Sequence, residues 1–240
     1  MQTRVRGGFQ KREPYPLNQP TEAVVLRICQ RIVYQLASGR AELSGDDWSR
    51  IFAESIEGVN HASPLGLADV SWNGCCWSLK TVKARDPLNT RTVRLISGRN
   101  DPNFSSGISD PYVDISATGA SVLSICNQRL AETQIQHSDI RLGVLVRNMS
   151  RLEFTYFERP MVIFPVNDYK WEVNRNNNLE GYGKSGHRFT WQPHGGQFTI
   201  KESVPDSGRR FRIVQRPGVA SLEAVLQNVG FAEDWVQIIR

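Results

Sequence analysis

The stretch Leu67–Lys83 reads LADVSWNGCCWSLKTVK and predicts a β-hairpin with one charged residue on each arm. Asn73-Gly74 is among the strongest short hairpin signals, because both residues tolerate the positive φ angles of a tight type I′ turn. Neighbouring strands lie about 4.8 Å apart, so a carboxylate and an amine on the same face can converge on one ion or phosphate. The arms that carry Asp69 and Lys80 are predicted at Leu67–Trp72 and Cys75–Val82.

Two amphipathic helices are predicted before this hairpin. The first spans Thr21–Gly39 and the second Asp46–Glu57, where Asp46 can cap the N-terminus and Gly58 ends the helix. Their apolar residues follow the helical spacing of three and four and form one stripe on each helix. These residues are Val25, Ile28, Cys29, Ile32 and Leu36 in the first helix, and Trp48, Ile51, Phe52 and Ile56 in the second.

Strands and one further long helix are predicted after the hairpin. A third strand near Thr92–Ser97 precedes a Gly-, Asn- and Pro-rich loop at 98–117, and a helix follows at Gly119–Gln134. The remaining predicted elements are strands at Ile140–Arg147, Leu152–Phe157, Met161–Val166 and Phe211–Gln215, a hairpin joining Phe189–Trp191 to Gln197–Ile200, and a short helix at Leu222–Val229. This order predicts an α/β (α+β) fold, with a mixed β-sheet flanked by helices and a β-rich C-terminal elaboration.

Composition limits the class of protein. The 240 residues are 40% apolar and 22% charged, with a formal net charge of +5, which favours a polyanionic partner. No apolar run is long enough to span a membrane, and the N-terminus has no apolar signal core, so a cytoplasmic protein is expected. Residues 1–20 are predicted to be a flexible basic arm, and residues 21–240 a single domain, with a core at about 21–150 and a DNA-contacting β-rich region at about 151–240.

The four cysteines do not form a zinc motif or an obvious disulfide framework. Cys29, Cys75, Cys76 and Cys126 contain no CxxC pair, and no histidine lies at metal-ligand spacing from them. Buried free thiols are expected, in keeping with a reducing compartment. Neither a phosphate-binding loop around Gly183-Lys184-Ser185 nor a Ser-His-Asp triad involving His194 is supported by the surrounding sequence.

The hairpin residues fit the chemistry of phosphodiester hydrolysis. Hard cations such as Mg²⁺ prefer carboxylate oxygens, and a nearby lysine can orient the attacking water and stabilise developing charge. Asp69 followed by Ser78-Leu79-Lys80 resembles the catalytic core of the PD-(D/E)XK nuclease superfamily, in particular its type II restriction endonucleases. The resemblance covers about 40 residues in detail, from the Asp46–Glu57 helix through the hairpin.

The resemblance implies a set of roles for these residues. Asp69, a supporting acid and the backbone carbonyl of Leu79 would hold Mg²⁺, and Lys80 would position the attacking water. Ser78 stands where the family has its central acid, and it would orient water or metal instead. The supporting acid would then come from elsewhere, with Glu54 as the first candidate and Glu57 and Asp86 as weaker ones.

Two later stretches are rich in side chains that read nucleic acid. Arginine pairs with guanine, and asparagine or glutamine with adenine, in the major groove. Polar turns or solvated loops are the alternative interpretation of both stretches. The candidate DNA-binding residues are Arg99 and Asn100 in the first stretch, and Arg175, Lys184, Arg188, Trp191, Gln192, His194 and Gln197 in the second.

The function that the resemblance implies is a Mg²⁺-dependent type II restriction endonuclease that cuts double-stranded DNA. A homodimer is expected, because palindromic targets match a two-fold protein. Two alternatives stay open, namely a structure-selective repair or recombination nuclease and a catalytically inactive DNA-binding protein in which Ser78 marks a dead site.

Overall fold

The computed structural model describes residues 14–61 and 67–239, and this part of the chain forms an α+β fold with two β-sheets. The described part contains five α-helices, namely α1 (Glu22–Ala37), α2 (Gly45–Ile56), α3 (Pro102–Ser106), α4 (Ile115–Gln136) and α5 (Leu222–Val229). The strands are β1 (Val59–Asn60), β2 (Val70–Trp72), β3 (Cys75–Lys83), β4 (Thr92–Arg99), β5 (Asp139–Asn148), β6 (Glu153–Pro160), β7 (Lys170–Val173), β8 (Leu179–Gly183), β9 (Gly186–Gln192), β10 (Gln197–Ser203) and β11 (Arg209–Arg212).

The first sheet is mixed and has the order β1-β2-β3-β5-β6-β11. Its central pair, β3 and β5, is parallel from Cys75 opposite Asp139 to Lys83 opposite Arg147. The other neighbours are antiparallel. Parallel neighbours need a long crossover connection, and α4 lies within the segment that makes it. The predicted mixed sheet flanked by helices is therefore confirmed.

The second sheet is antiparallel and has the order β4-β10-β9-β8-β7. The strand predicted near Thr92–Ser97 is confirmed as β4, and it pairs with β10. Its alternating Val93 and Leu95 are buried against Val144 and Val146 of β5, so β4 packs over the first sheet instead of extending it. The predicted hairpin of β9 and β10 is confirmed, with Phe198 opposite Trp191.

Sequence position does not separate the two sheets at residue 150. The second sheet takes β4 from the first part of the chain, and the first sheet takes β6 and β11 from the second part. The boundary predicted near residue 150 within the single domain therefore does not coincide with the division between the two sheets.

Local sequence signals account for several element boundaries. Thr21 caps α1, and its side chain accepts a hydrogen bond from the backbone N–H of Val24. Asn73 and Gly74 have φ angles of 44° and 82°, as the predicted tight turn requires. The strand predicted at Met161–Val166 is wrong. Residues 161–165 belong to no strand, and Pro165 cannot donate to a β-ladder.

The N-terminal arm is described only from residue 14 onward, and residues 1–13 lie outside the described part. The segment from Tyr15 to Pro20, predicted as part of the arm, packs against the first sheet. Tyr15 is buried, and its hydroxyl donates to the carboxylate of Glu158 at 2.7 Å. Asn18 exchanges hydrogen bonds with the same residue, with its N–H donating to the carboxylate and its side-chain oxygen accepting from the N–H of Glu158.

The two faces of the first sheet are covered differently. Helices α1 and α2 cover one face, where Trp48 and Phe52 pack with Trp77 and Tyr156 in an aromatic cluster. The second sheet and α4 lie over the other face. Within the described residues, no helix has the length and apolar character needed to cross a membrane. All four cysteines are free thiols.

Candidate active site

The hairpin brings Asp69 and Lys80 together. Asp69 lies just before β2, where its N–H donates to the carbonyl of Trp77 at 2.9 Å. Its Oδ2 accepts a hydrogen bond from the N–H of Leu79 at 2.6 Å and lies 3.8 Å from Nζ of Lys80. The two side chains therefore converge on one side of the hairpin, as the sequence predicted.

The pair lies at an edge of β3 that the described strands leave uncovered. Strand β2 pairs with β3 only at Cys75–Trp77, so it does not cover β3 from Leu79 onward. The N–H and C=O of one strand residue point to the same side, and the N–H of Leu79 points toward Asp69. The carbonyl of Leu79 therefore points to the same edge as the Asp69 carboxylate.

Burial removes water from the Asp69 carboxylate, and the neighbouring groups only partly compensate for this loss. Burial raises its pKa above the ordinary value and is the largest influence on it. The Lys80 ammonium and the N–H of Leu79 act in the opposite direction without offsetting the burial. A further positive charge beside Asp69 would therefore stabilise the ionised form.

Asp46 is the acidic residue that sequence reasoning placed incorrectly. It was predicted as the cap of α2, but Ser44 caps this helix in a reciprocal arrangement with Asp47. Asp46 is exposed in the first helical turn, and its negative charge contributes to the raised pKa of Asp69. The feature of the sequence that could have indicated this role for Asp46 was a second acid in the first turn of the helix before the hairpin.

His61 is a second neighbour of Asp69 that the sequence did not indicate. Its N–H donates to the backbone carbonyl of Asp69 at 2.9 Å, and its ring Nε2 lies 2.8 Å from the hydroxyl of Ser71. Its charge lowers the pKa of Asp69.

Glu54 does not join this group. Its carboxylate accepts a hydrogen bond from Arg31 of α1 at 2.9 Å, and its side chain is 52% exposed. The structure therefore pairs Glu54 with Arg31 and does not bring it to Asp69. The weaker candidate Asp86 instead binds Asn89 within its own loop.

Ser78 shares the face of Lys80 but is only 2% exposed. Both residues line a small cavity of about 50 Å³ between the sheets, where Leu95, Leu130 and Leu142 supply apolar walls. A cavity of this size admits a water molecule but no DNA strand. Direct contact of Ser78 with DNA is therefore excluded in this arrangement.

Arg188 connects the cavity beside Lys80 to a larger cleft. In β9 the register shifts so that Phe189 and His187 pair with successive residues of β8, which leaves Arg188 without a partner on that strand. Arg188 forms an ion pair with Glu202 and lies over the ring of Phe164, with its guanidinium carbon 5.8 Å from the centroid. The same residue lines a cleft of about 600 Å³ that also contains Lys184 and Lys201.

Asn100 and Trp191 are structural residues, contrary to the prediction that they bind DNA. Asn100 is fully buried, and its side-chain amide donates to the carbonyl of Val122 at 2.7 Å. Trp191 is 4% exposed, and its indole N–H donates to the carbonyl of Asn100 at 2.8 Å. Both side chains are buried and donate their N–H groups within the chain, so neither can reach a base edge in this arrangement.

The other predicted DNA-binding residues spread over the second sheet. Arg99 is exposed and lines a groove of about 460 Å³ beside the turn that carries His194. Gln192 and Gln197 face each other across β9 and β10 and are half-buried. Arg175 is exposed in the turn between β7 and β8. The structure therefore does not gather these residues into one surface with Asp69.

The described residues contain no preformed metal cage, and the comparisons with known proteins found no match. Among residues 14–61 and 67–239, no three or more His, Cys, Asp or Glu side chains form a group that could hold a metal ion. Comparison of the chain with protein-family models, curated proteins and solved structures gives no match in any of the three. The candidate site must therefore be judged on its own geometry.

Proposed function

We propose that this protein is a Mg²⁺-dependent endonuclease that cuts double-stranded DNA, with restriction of foreign DNA as its role. The observation that carries the proposal is the convergence of Asp69 and Lys80, 3.8 Å apart, at the uncovered edge of β3. The sequence resemblance rests on the same residues, namely Asp69 followed on the next strand by Ser78-Leu79-Lys80, after helix α2.

The residues at this edge fit a Mg²⁺ ion. Mg²⁺ is commonly bound through one or two protein carboxylates, with water and substrate phosphate as the other ligands. Asp69 provides a desolvated carboxylate, and the carbonyl of Leu79 points to the same edge. Asp46 replaces Glu54 as the proposed supporting acid, because its charge acts on Asp69 whereas Glu54 is bound to Arg31. Bound Mg²⁺ would neutralise the phosphate and stabilise the charge that develops during hydrolysis.

Lys80 has the position of a group that orients water. Its ammonium is held near Asp69 but is 30% exposed, so it can donate to a water molecule or a phosphate oxygen at the open edge. Attack of this water on phosphorus would convert one phosphodiester into a phosphomonoester and an alcohol. Ser78 would support this strand from the interior and would not contact the substrate.

The proposed DNA contacts extend from this edge toward the second sheet. Lys184 and Lys201 line the larger cleft, and Arg99 is exposed at the end of β4. Cationic side chains of this kind bind phosphates and supply affinity without reading the sequence. A two-fold dimer acting in the cytoplasm would suit a palindromic target and the four free thiols.

The experiment is incubation of the purified chain with supercoiled plasmid and Mg²⁺. Discrete fragments are expected from the wild-type protein, and no cutting is expected from Lys80→Ala. Lys83→Ala is the matched control, because Lys83 lies on the same strand, is exposed and pairs with Glu42 instead of Asp69. Full cutting by Lys80→Ala would refute the assignment.

A DNA-binding protein without catalysis is the second candidate. The burial of Ser78 at the position of the family's acid, together with the lack of a three-ligand group in the described chain, favours it. A shifted DNA band without cutting in Mg²⁺ or Mn²⁺ would support this candidate. Nicking that prefers branched DNA would instead indicate a structure-selective nuclease.

A further inference from the structure

The last described segment of the chain leaves an apolar surface in solvent. We define the C-terminal arm as residues 219–239, in which every residue except Leu226 is exposed. Its large apolar side chains include Leu222 at 68%, Trp235 at 62% and Ile239 at 89% exposure. Extended apolar patches of this kind on a water-soluble surface usually mark an interface.

Helix α5 within the arm has an apolar face that is suited to packing against another surface. Leu222, Val225, Leu226 and Val229 follow the helical spacing of three and four and form one stripe. Ser221 caps the N-terminus, and Gly230 ends the helix in the left-handed conformation with a φ of 68°. A helix this short is unstable alone in water, so it requires a packing partner.

A matching surface exists on α1. Its outward face carries Ala23, Leu26, Gln30 and Tyr34 at intervals of three and four, with Leu26 60% and Tyr34 74% exposed. The spacing is that of a seam that receives another helix. The arm begins beside the end of this helix, where the N–H of Ala220 donates to the carbonyl of Ala37 at 2.8 Å.

We propose that the C-terminal arm is a dimerisation arm that packs on α1 of a second copy of this chain. One chain provides both the apolar arm and the exposed Leu26 and Tyr34 on α1, so a two-fold exchange covers both surfaces at once. An arm of this length also matches the roughly 20–30 residues that each partner contributes to a stable interface.

Charge favours a protein partner over DNA for this surface. The arm contains Glu223, Glu233 and Asp234 and no lysine or arginine, whereas the whole chain has a net charge of +5. A negative segment is repelled by phosphates but is attracted to the remaining, basic part of another copy. The inference rests on the two-fold dimer of the proposed function and is independent of its chemistry.

The test is the mass of the full chain in solution by light scattering and sedimentation at several concentrations. The wild-type protein is expected to be a dimer, and both Leu222→Asp with Trp235→Asp in the arm and Leu26→Asp with Tyr34→Asp on α1 are expected to raise the dissociation constant about 30-fold or more. Val59→Asp is the matched control, because Val59 is an equally exposed apolar residue on β1 outside both surfaces. This variant is expected to remain dimeric.

Three outcomes would overturn the proposal. These are a monomeric wild-type protein at tens of micromolar, a dimer that survives both pairs of substitutions, or a dimer broken only by Val59→Asp. All substituted residues are exposed, and circular dichroism would verify that each variant is folded. Plasmid cutting is measured separately, so that failure of this proposal can be told apart from failure of the proposed function. A monomer that cuts DNA would contradict the dimerisation arm but support the nuclease. A dimer that does not cut DNA would support the arm but contradict the nuclease.

Discussion

Asp69, just before β2, and Glu158, in β6, are two carboxylates at the first sheet with opposite surroundings. The Glu158 side chain is fully buried and accepts hydrogen bonds from Tyr15, Trp77 and Tyr156 on one oxygen, at 2.7 to 2.8 Å. Asn18 and Arg141 bind its other oxygen. Asp69 is partly exposed and has one N–H at 2.6 Å and one ammonium at 3.8 Å.

The difference separates a carboxylate that is fully bound within the core from one that remains accessible to a ligand. Glu158 has its hydrogen-bonding capacity filled by the chain, so it can hold neither metal nor water without breaking the core. The lost solvation of the Asp69 carboxylate is only partly replaced by Lys80 and the N–H of Leu79, and its pKa is therefore raised. A carboxylate that is partly buried, has few compensating partners and remains accessible from solvent is a candidate for a functional site.

The largest expected effect is on catalysis, from Asp69→Asn. The amide can still accept the N–H of Leu79, so the free energy of unfolding should change by less than about 1 kcal/mol. Plasmid cutting should fall about 10³-fold, the scale for loss of one preorganised electrostatic group. Glu54→Gln is the control and should cut normally. Equal losses in both variants would remove the distinction between Asp69 and Glu54.

Glu158→Gln should give the largest loss of stability. Arg141 is 1% exposed and would lose one of its charged partners, and removing one member of a buried ion pair costs about 3–5 kcal/mol. Denaturant unfolding with a fixed m-value would measure this loss, while the folded fraction should retain its cutting activity. A loss below about 1 kcal/mol would show that the Glu158 network contributes little.

Asp46→Asn should weaken the binding of Mg²⁺ and leave the fold unchanged. If Asp46 supports the ion beside Asp69, the Mg²⁺ concentration for half-maximal cutting should rise about 10-fold. Asp47→Asn is the neighbouring control and should instead cost about 1 kcal/mol of stability through the lost helix cap. Identical Mg²⁺ curves for wild type and Asp46→Asn would exclude Asp46 from the site.

The smallest effect concerns pH and the thiol of Cys29. Burial raises the pKa of Cys29 to about 11, so above about pH 8.5 the unfolded thiol loses its proton while the folded thiol keeps it. The unfolded state then binds fewer protons, and stability falls as pH rises. Between pH 8 and 9.5, Cys29→Ala should lose about 1 kcal/mol less stability than wild type, measured by denaturant unfolding. An identical pH slope for the two proteins would contradict this reading.

The local parts of the fold were predictable from sequence. The apolar spacing of α1 and α2 and the Asn73-Gly74 turn gave these elements to within about two residues, since each signal lies within one element. Helix α5 was predicted with its bounds. Convergence of Asp69 and Lys80 followed from the same local geometry, because a hairpin fixes the register of its two arms.

The pairing of β4 and the placement of several candidate site residues could not be predicted, because they depend on contacts between residues distant in sequence. Strand β4 could join either sheet until β10 was known to pair with it. Asn100 and Trp191 have the side chains of DNA-reading residues, and their burial follows from the contact between them across 91 positions. Glu54 and Asp46 lie on the same short helix, so the choice between them depended on how that helix packs on the sheet.

The bond between Tyr15 and Glu158 also orders events during synthesis. The two residues are 143 positions apart, so Tyr15 must wait on the order of 10 s for its acceptor at ordinary translation rates. The hairpin that holds Asp69 and Lys80 needs no such delay, because its arms are adjacent in the chain. The nascent chain can therefore bring Asp69 and Lys80 together well before the buried carboxylate that binds its N-terminal segment has emerged from the ribosome.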